Sequence, residues 1–542
     1  MTSLARCMVA AFAVLAVPQL VSAQPAPAST PATDPTGTPA PVPDAASPEP
    51  APQPAATSAP APPVPDVTPA APPVVPKGLE WTSLRLLHDK GVISDAELAA
   101  TLAELGVVGA GDATTLVVSK LKLTLYGYVE GNFKYDSTQT CVEFCGSSQV
   151  QRPGSYKGEH GRSIISARDS RIGIRIAAPE QHGLRLSGVI EGDFFGPTTT
   201  TEQSTYVNPV LRIRTSYLKI ETPVLDVLIG QQWSLFGWQP LFISASVQYP
   251  GLPGETFERT PQLRLSKTIK SDAVTADLAI AANRPPQQDS ATPEGVAGIR
   301  LQFNKWTGQH TTYMANTAIQ PASIGVSADL RQFRIPELLA APRHGITKTG
   351  GGVAISGYLP IIPATKASRD NALSLNGEVS ITSGMSDDYT TLGAAGTANA
   401  SLPPATPGAT GAPYVANFDP GLAAIDAAGH VELIKWLAYF ASLEFYPAGT
   451  DGRLGLFANY GHMESSNAKS VGAASAAAPT PDAQAAAAAK VRDHEDLFEA
   501  GVFFDPTKAT RLAASGSLYN DVYADGVAAK NYCAIVSGWL FF

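Results

Sequence analysis

Residues 532–542, at the end of the chain, read YCAIVSGWLFF, and this stretch decides the fold class. Apolar residues or glycine stand at every second position, and they include Tyr532, Ala534, Val536, Leu540 and the terminal Phe542. A period of two indicates a β-strand, because successive side chains of a strand point to opposite faces. A strand with one apolar face and an aromatic end is typical of the wall of a transmembrane β-barrel.

The amino-terminal end of the chain indicates export. Residues 1–23 carry one basic residue, Arg6, then an apolar run over residues 8–17 and the small-residue sequence VSA that ends at Ala23. This order predicts a secretory signal peptide cleaved after Ala23. No later stretch reaches the ~18 apolar residues of a spanning helix, so a membrane location requires strands. We therefore expect the outer membrane of a Gram-negative bacterium, with the amino-terminal region in the periplasm.

Two segments lie between the signal peptide and the strands. Residues 24–77 are almost entirely Pro, Ala, Ser, Thr and Val, a composition that cannot bury a core and predicts a disordered spacer. This composition is compatible with a simple tether and with a bridge to the cell wall. Residues 78–119 contain a helix stop at Gly91 and a capping box from Ser94 to Glu97, which predict a short periplasmic helical unit. Its short apolar face suits packing on a neighbour or coiled-coil trimerisation.

The body of the chain, residues 120–542, alternates with a period of two in many segments. In one of them Ile172, Ile174 and Ile176 stand opposite Arg171 and Arg175. Alternation alone also fits a soluble sandwich. The length, a charged fraction of 16% and a mean hydropathy near zero favour a barrel with a lipid face and a wet interior. One strand with its connection takes about 25 residues on average. This length predicts an all-β, antiparallel transmembrane barrel of about 16 strands, with 18 as the alternative.

A long aromatic and proline-rich connection covers residues 233–261. By strand parity it is the third external loop, and we predict that it folds into the barrel as a constriction. Its candidate residues are Trp233 and Trp238 for packing, and Glu255, Glu258 and Arg259 for charge. The alternative is an aromatic loop packed at the rim or against another subunit.

Arginines fall on the polar face of the early strands. The predicted pore-lining set is Arg171, Arg175, Arg185, Arg212, Arg214 and Arg264. Arginines in a confined aqueous pore raise the local anion concentration. Because Glu191 and Asp193 share the predicted lumen, a mutually neutralised wall is the alternative.

Signatures of enzymes are missing from the sequence. It has no HExxH, GxSxG or P-loop motif, so we expect no catalytic residues, no metal and no cofactor. Cys141 and Cys145, in the first long loop of an exported chain, are candidates for a disulfide.

Six segments carry a resemblance to a known family. They are SRIGIRI, VIEGDFFG, RIRTSYLKIE, LIGQQWSLFG, GGGVAISGYLPIIP and YADGVAAKNYCAIVSGWLFF. The set resembles the DcaP-like porins, which are outer-membrane channels related to phosphate-selective porins. The resemblance implies a homotrimer of 16-stranded barrels and passive diffusion of small anions such as dicarboxylates. The Pro/Ala spacer and the Ala-rich loops depart from that family.

The sequence therefore predicts an outer-membrane porin that passes small hydrophilic solutes and prefers anions. The rival interpretation is a structural or adhesive platform that displays residues 386–430 and 464–493. The expected partners are outer-membrane lipid and lipopolysaccharide, small anionic solutes, further copies of the chain in a homotrimer, and peptidoglycan through the amino-terminal region. Nucleic acid is not expected.

Overall fold

The structure is a computed structural model. It describes residues 87–88, 90–94, 97, 115–118 and 121–542, except for residues 142–148, 197–206, 208, 248–251, 286–289, 312–316, 337–344, 390–421, 426–430 and 470–479. The predicted signal peptide, the spacer and most of the helical unit lie outside these residues. In the described part of that unit, the Ser94 N–H donates to Glu97 Oε2 at 2.9 Å and the Glu97 N–H donates to Ser94 Oγ at 3.3 Å. These two bonds form the predicted capping box.

The described residues form mainly antiparallel strands, two short helices and two 3-10 turns. The strands are β1 (Thr115–Val118), β2 (Leu121–Asp136), β3 (Arg162–Ser166), β4 (Arg171–Ala177), β5 (Arg185–Asp193), β6 (Arg212–Glu221), β7 (Asp226–Trp233), β8 (Arg259–Lys270), β9 (Val274–Asn283), β10 (Glu294–His310), β11 (Ala318–Pro336), β12 (Gly345–Ile362), β13 (Ala372–Ser383), β14 (Ala423–Ile425), β15 (Val431–Leu433), β16 (Lys435–Tyr446), β17 (Leu454–Ser465), β18 (Arg492–Thr507), β19 (Thr510–Tyr523) and β20 (Ala528–Phe541). The helices are α1 (Tyr156–Glu159) and α2 (Pro481–Ala488), and the 3-10 turns are Phe236–Trp238 and Ser386–Asp388.

Sixteen wall strands of the described chain close into one barrel, as the sequence predicts. Strands β3 and β4 both pair with β2 and form a single wall strand with a break between them. Strand β1 pairs with the beginning of β2, and β14 and β15 form a separate two-stranded sheet. Strand β20 pairs with β2 and closes the circle. Among the helices of the described residues, none is both long and apolar enough to span a membrane.

Side-chain exposure along the wall confirms the alternation. On β2, Val129 and Phe133 are exposed on the outside, whereas Asn132 and Lys134 are buried inside. The closing strand repeats the pattern, because its predicted apolar face is exposed: Tyr532, Val536, Leu540 and Phe542. The outer wall is thus an apolar surface of the kind that faces lipid.

One side of the barrel interior departs from the expected wet lumen. On the inner faces of β17 to β20 and β2, the apolar residues Phe457, Phe503, Ile535, Trp539 and Tyr128 form a buried cluster. An apolar cluster of this size excludes water, so this side of the barrel is filled rather than open.

The last residue of the chain fastens the seam between the first and last wall strands. The Phe542 N–H donates to the Gly127 carbonyl at 3.1 Å, and the Gly127 N–H donates to the Phe542 carbonyl at 3.0 Å. A Cβ on Gly127 would lie 3.0 Å from the Phe542 ring, so the ring lies against this glycine. The terminal aromatic residue is therefore part of the wall.

We expect deletion of Phe542 to lower the assembled fraction sharply, because the seam loses two backbone hydrogen bonds and one ring contact. Assembly is measured as the fraction that migrates as a folded band before boiling on a denaturing gel. Phe498→Ala, which removes a similarly exposed aromatic from β18, serves as the control and should assemble normally. Equal assembly of the deletion and the control would contradict this role of the terminus.

Candidate functional site

The loop L3, residues 234–258 between β7 and β8, runs along the inside of the barrel wall. Six wall strands contact it in succession through inward-facing polar residues: Ser327, Ser356, Asn376, Ser442, Asn459 and Glu499. The Asn376 amide donates to the Phe242 carbonyl at 2.6 Å, and the Asn459 amide donates to the Ala245 carbonyl at 2.6 Å. Because these partners lie on β11 to β18, L3 covers the wall opposite the early arginine-bearing strands.

Apolar packing holds L3 at both ends of this path. Near its start, Leu235, Phe236, Trp238 and Phe242 pack on inward residues of β9, β10 and β12. Farther along, Ile243, Ala245 and Val247 join the apolar cluster of β17 to β20. L3 is thus a fixed part of the barrel interior.

Glycine is required where L3 and the wall approach most closely. Gly237 has a φ of +72°, and a Cβ there would lie 1.9 Å from Thr256 Oγ1 and 2.7 Å from Glu378 Oε2. On β17, a Cβ on Gly461 would lie 2.0 Å from the Pro253 carbonyl oxygen. Any side chain at these positions would push the loop away from the wall.

The predicted L3 residues occupy three different environments. Trp238 packs on the wall and donates through Nε1 to the Val326 carbonyl at 3.1 Å. Glu255 is buried within the loop, where it accepts from the Ser244 N–H at 2.7 Å. Trp233, Glu258 and Arg259 remain partly exposed where L3 joins the wall, and the Arg259 guanidinium lies 5.2 Å from the Trp233 ring centre.

Two of the predicted arginines share one carboxylate. Arg212 and Arg214 each place a guanidinium nitrogen 2.7 Å from Asp193 Oδ2. Arg214 also donates through Nε to Glu191 Oε1 at 3.1 Å, and Arg171 lies 3.8 Å from the same carboxylate. For this group of residues, the alternative prediction of mutually neutralising charges therefore applies. They form an ion-pair network in which nearly all charged groups have a partner of opposite charge.

A β-bulge builds this network. Glu191 pairs with Thr215 and the next residue, Gly192, pairs with Ile213, so Arg214 is an extra residue in β6. Both Arg214 and Thr215 are buried inside, which a regular strand would not permit. The bulge also shifts the apolar outer face, which is formed by Ile213 before it and by even-numbered residues such as Leu218 after it.

Three other predicted arginines lie outside the network. The Arg175 guanidinium lies 3.9 Å from the Tyr126 ring centre, and Arg264 donates to Gln262 Oε1 at 2.8 Å and to the Trp233 carbonyl at 2.5 Å. Within the described residues, neither Arg175 nor Arg264 forms an ion pair with a carboxylate. Arg185 pairs at 2.6 Å with Glu180, and both side chains are at least half exposed at a strand end.

Several wall residues escaped the sequence prediction. Lys219 follows the bulge and pairs with Glu221 at 2.7 Å and with Asp226 at 3.2 Å. The residues that hold L3 were also missed, although β13 carries a clear signal in its alternating buried polar residues Ser374, Asn376, Glu378, Ser380 and Thr382. Such a polar row on an inner wall indicates a partner inside the barrel, because buried polar groups require hydrogen bonds.

A second inward connection lies at the other end of the barrel, in the turn between β10 and β11. The Thr311 N–H donates to Glu444 Oε2 at 2.8 Å, and His310 Nδ1 lies 2.5 Å from Glu444 Oε1. Arg511 of β19 donates to Thr317 Oγ1 at 2.8 Å. The described residues on both sides of this turn thus contact β16 and β19, which a short connection in the sequence does not reveal.

Glu258 belongs to a buried group of carboxylates. Its oxygen lies close to those of Glu294 and Asp388, and Asp388 pairs with Arg331 at 2.8 Å. Burial, with Asp388 and Glu294 nearby, raises the pKa of Glu258 well above its usual range. Burial likewise raises the pKa of Asp388 in spite of Arg331.

The structure describes one of the two cysteines that are candidates for a disulfide. Cys141 is disulfide-bonded. Cys145 lies outside the described residues, so the pairing of these two residues stays a prediction. Cys533 is a buried free thiol of β20.

Comparisons with solved structures identify the fold. The chain is similar to the outer membrane channel DcaP of Acinetobacter baumannii, with 16% identity and a TM-score of 0.55 over 78% of this chain and 98% of that one. It is less similar to an anion-selective porin from Comamonas acidovorans, with 11% identity and a TM-score of 0.44 over 78% and 100% of the two chains. Pseudomonas putida OprB gives 9% identity and a TM-score of 0.43 over 77% and 94%. No protein-family model and no curated protein sequence matches. The DcaP comparison confirms the fold that the sequence resemblance implies.

We expect Gly237→Ala to detach L3 from the wall, because the new Cβ would clash with Thr256 and Glu378. Chymotrypsin cleavage within L3, measured on the folded protein by mass spectrometry, should rise about fivefold, which corresponds to about 1 kcal/mol of local opening free energy.

Gly449→Ala is the matched control, because Gly449 also has a positive φ, of +81°, but a Cβ there meets nothing within 4 Å. It adds similar backbone strain without a clash. Equal cleavage of L3 in the two variants would show that the close contact at Gly237 does not hold the loop.

Proposed function

We propose that the protein is an outer-membrane porin that allows passive diffusion of small hydrophilic solutes. The observation that carries the proposal is the closed sixteen-stranded wall with L3 folded inside it along β11 to β18. A closed sixteen-stranded wall with an apolar exterior supports the membrane location. The DcaP protein of similar fold is an outer membrane channel. We propose no catalytic activity.

The proposed partners follow from the same surfaces. The apolar outer wall suits outer-membrane lipid and lipopolysaccharide. Assembly as a homotrimer, a periplasmic amino-terminal region and contact of that region with peptidoglycan remain predictions from the sequence.

We further propose a preference for anions, which rests on Arg175 and Arg264. Arg212 and Arg214 contribute little to the attraction of anions, since Asp193 and Glu191 neutralise them. Arg175 and Arg264 have no carboxylate partner among the described residues, and a guanidinium can bind a carboxylate through two parallel hydrogen bonds. Small anions, including dicarboxylates, are therefore the favoured solutes, whereas cations are repelled.

A structural or adhesive platform is the competing function, and channel conductance separates the two. In planar bilayers we expect stable open channels from the full-length protein. Deletion of residues 241–255 should raise the single-channel conductance, because L3 occupies part of the interior. Deletion of residues 471–479, between β17 and β18, is the control and should leave conductance unchanged.

Silent bilayers from correctly folded protein would favour the platform. Open channels with the same conductance in the wild type and the L3 deletion would instead place L3 away from the solute path.

Reversal potentials in a salt gradient test the anion preference. The wild type should favour chloride over potassium, and Arg175→Gln combined with Arg264→Gln should lower the permeability ratio by about twofold or more. Arg185→Gln removes an arginine that is paired and exposed at a strand end, so it should leave the ratio unchanged. A cation-selective wild type would refute the preference, and an unaltered ratio in the double variant would assign it to other residues.

A further inference from the structure

Three carboxylates from different segments meet where L3 rejoins the wall. Glu258 ends L3, Glu294 begins β10, and Asp388 lies in the 3-10 turn after β13. One oxygen of each lies within 4.8 Å of the other two. Oxygens that bind one calcium ion at 2.3–2.6 Å are at most about 5 Å apart, so this spacing fits a shared cation.

Arginine does not neutralise this group. Arg331 is fully buried beside it and contacts Glu294 at 2.9 Å, Asp387 at 2.5 Å and Asp388 at 2.8 Å. Asp329 lies 3.6 Å from the same guanidinium and next to the carboxyl group of Glu294. One guanidinium thus faces five carboxylates, including Glu258. Buried charges that are not paired are costly, and either shared protons or a further positive charge relieves that cost here.

A neutral side chain gives an independent indication of a ligand. Asn283 is the direct cross-strand partner of Glu294 and is only 2% exposed. Neither its amide oxygen nor its amide nitrogen has a hydrogen-bond partner. Directly opposed residues of antiparallel strands project to the same side, so Asn283 points toward the carboxylates. An amide oxygen is a common calcium ligand.

A cavity of about 430 Å³ lies beside this place and is lined by Gln262, Asn283, Arg284 and Pro293 among others. Pro293 precedes Glu294 directly in the chain. Asn283 thus belongs both to the cavity lining and to the strand pair that carries Glu294.

We propose that Glu258, Glu294, Asp388 and Asn283 form a binding site for a divalent cation of the size of calcium. Carboxylate and amide oxygens are the donors that calcium prefers, and water completes its six to eight ligands. The site joins the end of L3 to β9, β10 and the connection after β13. Cation binding thus fastens L3 at the one end where Glu258 and Arg259 remain partly exposed.

The test uses the full-length protein refolded from inclusion bodies, so that no lipopolysaccharide supplies its own calcium sites. After removal of divalent cations with a chelator, calorimetric titration with calcium chloride should show one saturable site per chain. Glu258→Gln and Asp388→Asn should each weaken the binding at least about tenfold. Glu464→Gln, which removes an exposed carboxylate from the outer face of β17, is the control and should bind as the wild type does.

Crystals soaked with terbium provide a readout that does not depend on any variant. Anomalous density between the three carboxylates is expected. Absence of saturable calcium binding by the wild type would overturn the proposal and leave shared protons to balance the charge. Undiminished binding by both carboxylate variants, or anomalous density at other residues alone, would also overturn it.

Discussion

The rest of the structure depends on one constraint, which is that a backbone in lipid must satisfy all its hydrogen bonds within the protein. A sheet meets this constraint only when it closes, and here β2 and β20 provide the closure, with Phe542 bonded to Gly127 at its end. Closure fixes an inside and an outside. The polar residues on the inner face of the alternating strands are then confined to the interior, where they need partners. The ion-pair network, the polar row that holds L3 and the carboxylates near Arg331 are all consequences of that confinement.

The interior is divided rather than uniform. L3 and the apolar residues of β17 to β20 fill one side, and on the other the bulge in β6 brings Arg212 and Arg214 together with the carboxylates of Asp193 and Glu191. The charge available to a passing solute is therefore not the sum of the inward charges. On the proposed function, that charge is set by the few residues without a partner of opposite charge, foremost Arg175 and Arg264.

Local pattern in the sequence sufficed for the wall and for the place of the third loop, because both depend on a period of two and on counting strands. It did not suffice for the site, because partners there are distant in sequence. The bulge at Arg214 changes the parity that assigned side chains to the lumen. Glu258, Glu294 and Asp388 belong to three separate segments, and no spacing in the chain links them. The row of polar residues on β13 is visible in the sequence. Its role as a contact surface for L3 could be recognised only once the position of L3 was known.

The apolar cluster shared by L3 and the seam has a consequence for the order of assembly. Ile243 and Val247 of L3 belong to the same buried apolar cluster as Ile535 and Trp539 of β20. The loop cannot complete its docking before the carboxy-terminal strand has joined the wall. Contacts so distant in sequence form late and slowly. Docking of L3 thus cannot precede closure of the wall, and an intermediate with a closed wall and an undocked L3 would expose the apolar residues of this cluster to water.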